Sequence, residues 1–210
     1  MIKVLIADDH AIVREGLKQI VADVPDIDVA GEAKDGHEAL DMISKNNYDV
    51  VLLDISMPGI SGLDVLKQLR SQKPQLRVLI LSIYPEEQYA VRTLKAGASG
   101  YLTKESAPDE LVAAIRKVSQ GGNYVSHSLG EKLATNLRLD ANKQPHEALS
   151  DREFQVMRMI ASGKKGKEIA EELLLSVKTV STYRRRVLDK LGVKHNSALI
   201  RYAMQNHLLE

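Results

Sequence analysis

The first 120 residues alternate between two hydrophobic patterns. Short apolar runs typical of buried strands are each followed by a segment whose apolar residues recur at helical spacing. The runs predict strands at 2–7, 27–33, 50–54, 78–82 and 99–103, and the spacing predicts helices near 12–21, 37–44, 63–70, 88–96 and 110–119. This alternation predicts a parallel sheet with helices on both faces, joined by right-handed crossovers.

Polar residues stand at the ends of four of these predicted strands. Asp8 and Asp9 follow the first strand, Asp54 ends the third, Ser82 ends the fourth and Lys104 follows the fifth. The carboxyl ends of parallel strands meet at one edge of the sheet, where open sheets of this kind bind ligands. Three carboxylates at that edge would repel one another unless a cation lay among them, and Mg²⁺ prefers carboxylate, water and phosphate oxygens. The pattern therefore predicts a magnesium site.

Asp54 is the best candidate for the reactive group, because it stands alone at the end of the most apolar run, VVLLD. A carboxylate can accept a phosphoryl group as an acyl phosphate. The hydroxyl of Ser82 and the ammonium of Lys104 suit the oxygens of such a group. The alternative is a polar strand end at Asp54 and an ordinary surface charge cluster around it.

The pattern loosens after Gly121, where the polar segment 122–146 predicts a linker with one possible short helix at 129–137. Order resumes at Ser150, which with Glu153 forms a capping-box pattern at the start of a helix. Gly163 ends that helix, a second is predicted at 167–174, and a third runs from the N-cap Ser176 to 191, before Gly192. Two helices joined by a short turn, the later one rich in arginine, predict a helix-turn-helix.

The third of these helices has two distinct faces. Val180, Val187, Leu188 and Leu191 form an apolar arc suited to a core. A polar and basic arc carries Lys178, Ser181, Thr182, Arg185 and Arg186. Such a face can enter a DNA major groove, where hydroxyl and guanidinium groups read base edges and neighbouring cations hold phosphates. The alternative is a basic face exposed to solvent.

Composition narrows the classes of protein further. The chain of 210 residues has no cysteine, which excludes disulfides and thiolate chemistry and favours a reducing compartment such as the cytoplasm. No apolar run is long enough to cross a bilayer, so no membrane partner is expected. Residues 1–122 carry 14 Lys and Arg against 18 Asp and Glu, whereas the remainder carries 15 against 10. An acidic half joined to a basic half favours two domains, the second suited to nucleic acid.

The motifs ADDH, LLDISMPG, ILS and GYLTK, in that order, resemble the receiver domain of bacterial two-component response regulators over about residues 2–121. The resemblance implies a flavodoxin-like α/β sheet of strand order 2-1-3-4-5, and a phosphohistidine of a sensor histidine kinase as the phosphoryl donor to Asp54. It also implies roles for five further positions. Asp9 ligates Mg²⁺ directly, Asp8 ligates it largely through water, the backbone carbonyl of Ser56 completes the protein ligands, and Ser82 and Tyr101 form a switch pair in which Tyr101 rotates inward.

The second half, from LSDREFQVMRMIASG to a closing helix at about 197–209, resembles the LuxR-type four-helix DNA-binding domain. The whole chain then resembles a NarL/FixJ-type response regulator, with a receiver at 1–121, a linker at 122–146 and a DNA-binding domain at 147–210. The resemblance implies a homodimer when the protein is phosphorylated or bound to DNA, with dimer contacts on the closing helix at Ala198, Leu199, Tyr202 and Ala203. It implies DNA contacts from Lys178, Ser181, Thr182 and Arg185, with Thr179, Tyr183 and Arg184 flanking them or directed at the backbone.

Together these features predict a transcription regulator whose DNA-binding domain is controlled by phosphorylation of Asp54. One alternative is a Mg²⁺-dependent phosphohydrolase that uses Asp54 as its nucleophile, although no second acid follows Asp54 in its loop. Another is a protein-interaction regulator whose helix-turn-helix does not bind DNA.

Overall fold

The computed structural model describes residues 1–106, 108–126, 129–130, 144–206 and 208–209, with the backbone alone at residues 87 and 88. The chain divides into two compact units, Met1–Thr135 and Asn136–Glu210. The segment predicted as a linker, 122–146, spans this division, and its predicted helix at 129–137 lies outside the described residues beyond Gly130. None of the helices in the described ranges has the length and apolar character of a membrane span.

The first unit contains a five-stranded parallel sheet of order β2-β1-β3-β4-β5, which confirms the predicted topology. The strands are β1 (Ile2–Ala7), β2 (Ile27–Ala33), β3 (Val50–Asp54), β4 (Arg77–Ser82) and β5 (Gly100–Thr103), and the helices are α1 (Ala11–Ala22), α2 (Gly36–Lys45), α3 (Gly62–Gln72), α4 (Glu86–Lys95) and α5 (Pro108–Ser119). Most helices begin or end one or two residues from the predicted bounds, which is the usual uncertainty at helix ends.

The central strand β3 is buried along its whole length. On one face of the sheet Val50 and Leu52 belong to a cluster that also contains residues of α1 and α5, such as Leu17 and Ile115. Residues of the opposite face, such as Leu53, are equally buried, so side chains cover both faces of the strand. A strand buried in this way has to be apolar until it reaches the edge of the sheet, and Asp54 is its first charged residue.

The second unit is helical and consists of a 3₁₀ turn (Pro145–Ala148), α6 (Asp151–Ala161), α7 (Gly166–Glu172), α8 (Val177–Leu191) and α9 (Asn196–Gln205). The predicted capping box is present, because the Ser150 hydroxyl accepts a hydrogen bond from the Glu153 amide and the Glu153 carboxylate accepts one from the Ser150 amide. Gly192 ends α8 in the left-handed conformation, with a φ of 66°. The helix-turn-helix pair therefore consists of α7 and α8.

Two structural features near the polar segment are not predicted by the hydrophobic pattern. The 3₁₀ turn Pro145–Ala148 precedes α6, and Tyr124 forms an isolated parallel bridge to Gly100 at the edge of β5. The Tyr124 amide donates to the Ser99 carbonyl at 2.8 Å. Neither feature has an apolar periodicity, because backbone hydrogen bonds and turn geometry form both of them.

Gly62 fixes the position of α3 against the end of β3. A Cβ atom at this position would lie 1.9 Å from the Asp54 carbonyl oxygen, and the Gly62 amide donates to the Ile55 carbonyl at 3.0 Å. Neither β3 nor α3 can move away from the other without disturbing the core of the sheet. The loop after Asp54 is therefore held by a close backbone contact that has no room for a side chain.

We expect Gly62→Ala to lower the free energy of unfolding of the first unit by about 1–3 kcal/mol, because the added methyl group forces a backbone shift. Native-state hydrogen exchange of the β3 amides in the full chain measures this free energy. Gly16→Ala is the matched control, since nothing lies within 4 Å of a Cβ at this α1 position. The control should be neutral or gain up to about 1 kcal/mol from helix propensity. Equal protection in both variants would contradict the close contact.

Candidate functional site

The strand register brings the predicted polar residues to one edge of the sheet. Ala7 pairs with Leu53, so Asp8 follows beside Asp54, and Asp54 pairs with Leu81 next to Ser82. The Lys104 amide donates to the Ser82 carbonyl at 2.7 Å. The Lys104 ammonium lies 2.6 Å from an oxygen of Asp8 and 3.0 Å from an oxygen of Asp54. One lysine therefore bridges two carboxylates from different strands.

Burial makes this ion-pair cluster energetically demanding. The side chains of Asp8 and Asp54 are 2% and 1% exposed, and that of Lys104 is 11% exposed. Burial raises the pKa of the Asp54 carboxyl, and the nearby charge of Asp8 raises it further, while Lys104 opposes the shift. Burial lowers the pKa of the Lys104 ammonium, but Asp54 and Asp8 outweigh this effect and leave that pKa raised. Lys104 thus keeps its charge, and this charge favours the ionised form of Asp54.

The same edge provides a donor set suited to a divalent cation. Ligand atoms of Asp8, Asp9, His10 and Asp54 all lie within 4.8 Å of one another. Opposite ligands of an octahedral Mg²⁺ ion lie about 4 Å apart, so small side-chain movements would bring the carboxylates to one ion. The carboxylates of Asp8, Asp9 and Asp54 and the ammonium of Lys104 together carry two uncompensated negative charges, which a divalent cation neutralises. The residues present therefore fit Mg²⁺.

His10 orders the acidic turn between β1 and α1. Its Nδ1 atom lies 2.9 Å from an oxygen of Asp9 and 3.3 Å from an oxygen of Asp8, and its amide donates to Asp8 at 2.8 Å. The side chain of Asp9 is 27% exposed, so it is the most open of the three carboxylates. Asp9 is therefore the carboxylate of the three that is most accessible from solvent.

The loop after Asp54 also contributes to the site through its backbone. The Ser56 amide donates to an oxygen of Asp54 at 3.2 Å, while Lys104 holds the other oxygen. Both carboxylate oxygens are thus engaged, and the orientation of the group is fixed.

Ser82 and Tyr101 are linked through the loop between β4 and α4. The Ser82 hydroxyl accepts a hydrogen bond from the Tyr84 amide at 3.2 Å, and the Tyr101 hydroxyl donates to the Tyr84 carbonyl at 2.7 Å. Tyr101 is fully buried, so in this structure its side chain already points inward. The Tyr84 ring stacks on Tyr89 of α4, with ring centroids 4.9 Å apart. Tyr84 therefore connects the Ser82 hydroxyl, the Tyr101 side chain and helix α4.

Two contributions to this site are not visible in the pattern of side chains. Gly62 supports the Asp54 loop because it lacks a side chain, and its signal in the sequence is only a glycine directly after the N-cap Ser61. The Tyr84 contribution uses backbone atoms, which carry no residue-specific signal.

Helix α8 presents the predicted basic surface in the second unit. Val180, Val187, Leu188 and Leu191 are buried, as the spacing predicted. Thr179 and Tyr183 are half-buried at the borders of the helix face. The exposed side chains of the opposite surface, hereafter the α8 basic face, are Lys178, Ser181, Thr182, Arg185 and Arg186. Arg184 is exposed as well, but it lies four residues from both Val180 and Leu188 and therefore flanks this face on the buried side of the helix.

Internal contacts hold some of these side chains and leave others available. Arg184 donates to the Asn196 side chain at 2.7 Å, and the hydroxyls of Ser181 and Thr182 donate to α8 carbonyls at 2.9 and 3.0 Å. Lys178 and Arg185 form no ion pair with any residue that the structure describes. These two cations are available for an anionic partner.

The prediction of dimer contacts on the closing helix is wrong for two of its four residues. Leu199 and Ala203 of α9 are fully buried. The Tyr202 hydroxyl lies 2.9 Å from the His146 ring of the 3₁₀ turn, so this side chain is half-buried by an internal contact. The apolar spacing in α9 marked a core-facing surface, which sequence patterns do not distinguish from an interface.

Comparison with known proteins agrees with both halves of this description. Residues 4–116 match the response regulator receiver domain, and residues 147–203 match the bacterial regulatory proteins of the luxR family. Response regulator UvrY of Escherichia coli strain K12 is 38% identical over 209 residues, which cover 99% of this chain and 96% of UvrY. Response regulator GacA of Pseudomonas aeruginosa is 36% identical over 211 residues, which cover 100% of this chain and 99% of GacA.

Solved structures of the whole chain length are similar as well. RcsB from Salmonella enterica serovar Typhimurium, bound to promoter rprA in the presence of the phosphomimetic BeF3⁻, matches with a TM-score of 0.67 and 28% identity. The match covers 97% of this chain and 99% of RcsB. Sequence, fold and domain order agree, and the chain belongs to the NarL/FixJ-type response regulators, transcription regulators that join a receiver domain to a LuxR-type DNA-binding domain.

Proposed function

We propose that Asp54 accepts a phosphoryl group from the phosphohistidine of a sensor histidine kinase, and that the modified receiver controls DNA binding by α8. The observation that carries this proposal is the Lys104 ammonium held between the buried carboxylates of Asp8 and Asp54. A buried cation beside a buried nucleophile suits the oxygens of an incoming phosphoryl group.

The transfer needs little covalent chemistry from the protein. One carboxylate oxygen of Asp54 attacks phosphorus in line, the bond from phosphorus to the histidine nitrogen breaks, and the imidazole leaves with the electron pair. Asp8, Asp9, Asp54 and the Ser56 carbonyl would hold Mg²⁺, which when bound neutralises charge on the phosphoryl oxygens. Lys104 exchanges part of its contact with Asp54 for a phosphoryl oxygen, so its charge remains compensated.

The Ser82 hydroxyl is the group that reports the modification to the rest of the receiver. It lies at the end of the neighbouring strand, and its oxygen accepts a hydrogen bond of 3.2 Å from the Tyr84 amide. A new hydrogen bond from this hydroxyl to a phosphoryl oxygen would pull on the Tyr84 backbone, and Tyr84 contacts both Tyr101 and α4. The added charge thereby biases the position of the loop and of α4.

The α8 basic face is the proposed DNA-reading surface. Lys178, Ser181, Thr182 and Arg185 follow the i, i+3, i+4, i+7 spacing of a single helix side, the side that would enter a major groove. Thr179, Tyr183 and Arg184 would flank it. The hydrogen bond from Arg184 to the Asn196 side chain holds this guanidinium beside the reading face. The occurrence of RcsB bound to a promoter supports duplex DNA as the partner.

We further infer a homodimer on DNA, in which two copies of α8 read two half-sites. RcsB dimers bound to DNA support this assembly. Membership of a family of transcription regulators favours an acyl phosphate that persists as a signal over one that turns over continuously as in a phosphohydrolase.

Asp54 should be the single site of phosphorylation. Incubation of the full chain with acetyl phosphate and Mg²⁺ should add one phosphoryl group, and Asp54→Asn should abolish this addition because the amide is not a nucleophile. Intact-mass spectrometry measures the stoichiometry. Asp41→Asn, which removes an exposed acid of α2, is the control and should behave like wild type. Modification of Asp54→Asn to the wild-type extent would refute the assignment.

Arg185→Ala should weaken binding to a duplex selected from a random pool by about 1–3 kcal/mol and relax sequence preference, if Arg185 reads a base edge. Fluorescence anisotropy with the selected duplex and with single-base variants of it measures both effects. Lys34→Ala, at an exposed position of the first unit, removes the same charge and is expected to have no effect. Unchanged affinity in a folded Arg185→Ala protein would exclude Arg185 from the interface.

A further inference from the structure

A single guanidinium connects three elements beside the acidic turn. Arg14 lies in the first turns of α1, and its NH1 atom donates to the Asp8 carbonyl at 2.8 Å. Its Nε atom donates to the Glu32 carboxylate near the end of β2 at 3.2 Å. The Arg14 side chain is 17% exposed and that of Glu32 is 34% exposed, so the ion pair lies at the edge of the solvent while most of the Arg14 side chain is covered. This arrangement uses the planar geometry of a guanidinium, whose donors point in fixed directions.

The contact to Asp8 fixes a peptide group of the site. The Asp8 amide donates to the Ala33 carbonyl at 3.1 Å, and the Asp8 carbonyl accepts from Arg14. That carbonyl belongs to the peptide plane shared with Asp9, so its orientation determines the direction in which the Asp9 side chain leaves the backbone. Asp9 itself has only the His10 ring as a side-chain partner in the described part of the chain.

We propose that Arg14 is a positioning residue of the divalent-cation site, which sets the geometry of Asp8 and Asp9 through the peptide group between them. This inference rests on the proposed function, since it assigns Arg14 to the Mg²⁺ site described above. Glu32 anchors Arg14 in this role, and Lys18 shares Glu32 at 2.8 Å without contacting Asp8.

Charge and geometry predict opposite signs for the loss of Arg14. A cation near an acidic site repels Mg²⁺, so removal of its charge alone would tighten metal binding. Removal of a group that orients ligands weakens metal binding, typically by 10–100-fold for such outer partners. The sign of the change therefore separates a positioning role from an electrostatic one.

Isothermal titration of Mg²⁺ into the full chain, without a phosphoryl donor, tests the proposal. Arg14→Met should raise the dissociation constant by about 10-fold or more. Arg14→Lys should also bind more weakly than wild type, because a single ammonium lacks the planar set of donors with which the guanidinium holds both Asp8 and Glu32. Lys18→Met is the matched control, since it removes a cation and a Glu32 contact from the same helix. It should bind Mg²⁺ as wild type or slightly more tightly.

Unchanged or tighter binding in Arg14→Met would overturn the proposal, as would equal weakening in Lys18→Met. Thermal unfolding without Mg²⁺ accompanies each titration, and loss of the folded state in both Arg14 variants would also overturn it, because Arg14 would then support the fold and not the site. Wild type that failed to bind Mg²⁺ would instead refute the proposed function. The two failures are therefore distinguishable.

Discussion

The receiver unit depends on the compensation of charge at the end of a buried strand. β3 is apolar on both faces until Asp54, and a carboxylate at that depth is costly unless it is paired. Lys104 supplies the pairing from β5, and it shares its charge with Asp8 from β1. The strand order makes this possible, because β3 lies between β1 and β4, and β5 follows β4. The buried carboxylate of Asp54 and the fold that surrounds it thus depend on each other.

The same arrangement leaves room for change in charge. Asp8, Asp9 and Asp54 outnumber the single ammonium, so the cluster has room for further positive charge. The Ser82 and Tyr101 hydroxyls meet at the backbone of Tyr84, whose ring lies against Tyr89. A shift at this loop is a local event, and it reaches a helix surface through contacts that are already formed. The proposed modification needs such a connection between the acidic site and a helix surface.

The sequence predicted the sheet and the meeting of Asp8, Asp54 and Lys104, because strands buried on both faces appear as continuous apolar runs and the helices between them as segments of periodic apolar residues. The strand order was implied by the resemblance. It also predicted the capping box at Ser150 and the two faces of α8. It did not predict Gly62 as a contact or the Tyr124 bridge, since both depend on backbone proximity between distant segments. Leu199 and Ala203 were assigned to a dimer surface because an apolar helix stripe looks the same whether its own core or a partner covers it.

The central claim is that the charge state of Asp54 controls the DNA affinity of α8. The most direct measurement is the affinity of the full chain for one selected duplex, with and without acetyl phosphate and Mg²⁺, repeated on Asp54→Ala. The account predicts that the donor strengthens binding by wild type and leaves the variant unchanged. An equal increase in both proteins, or none in a wild type that is fully phosphorylated, would contradict it.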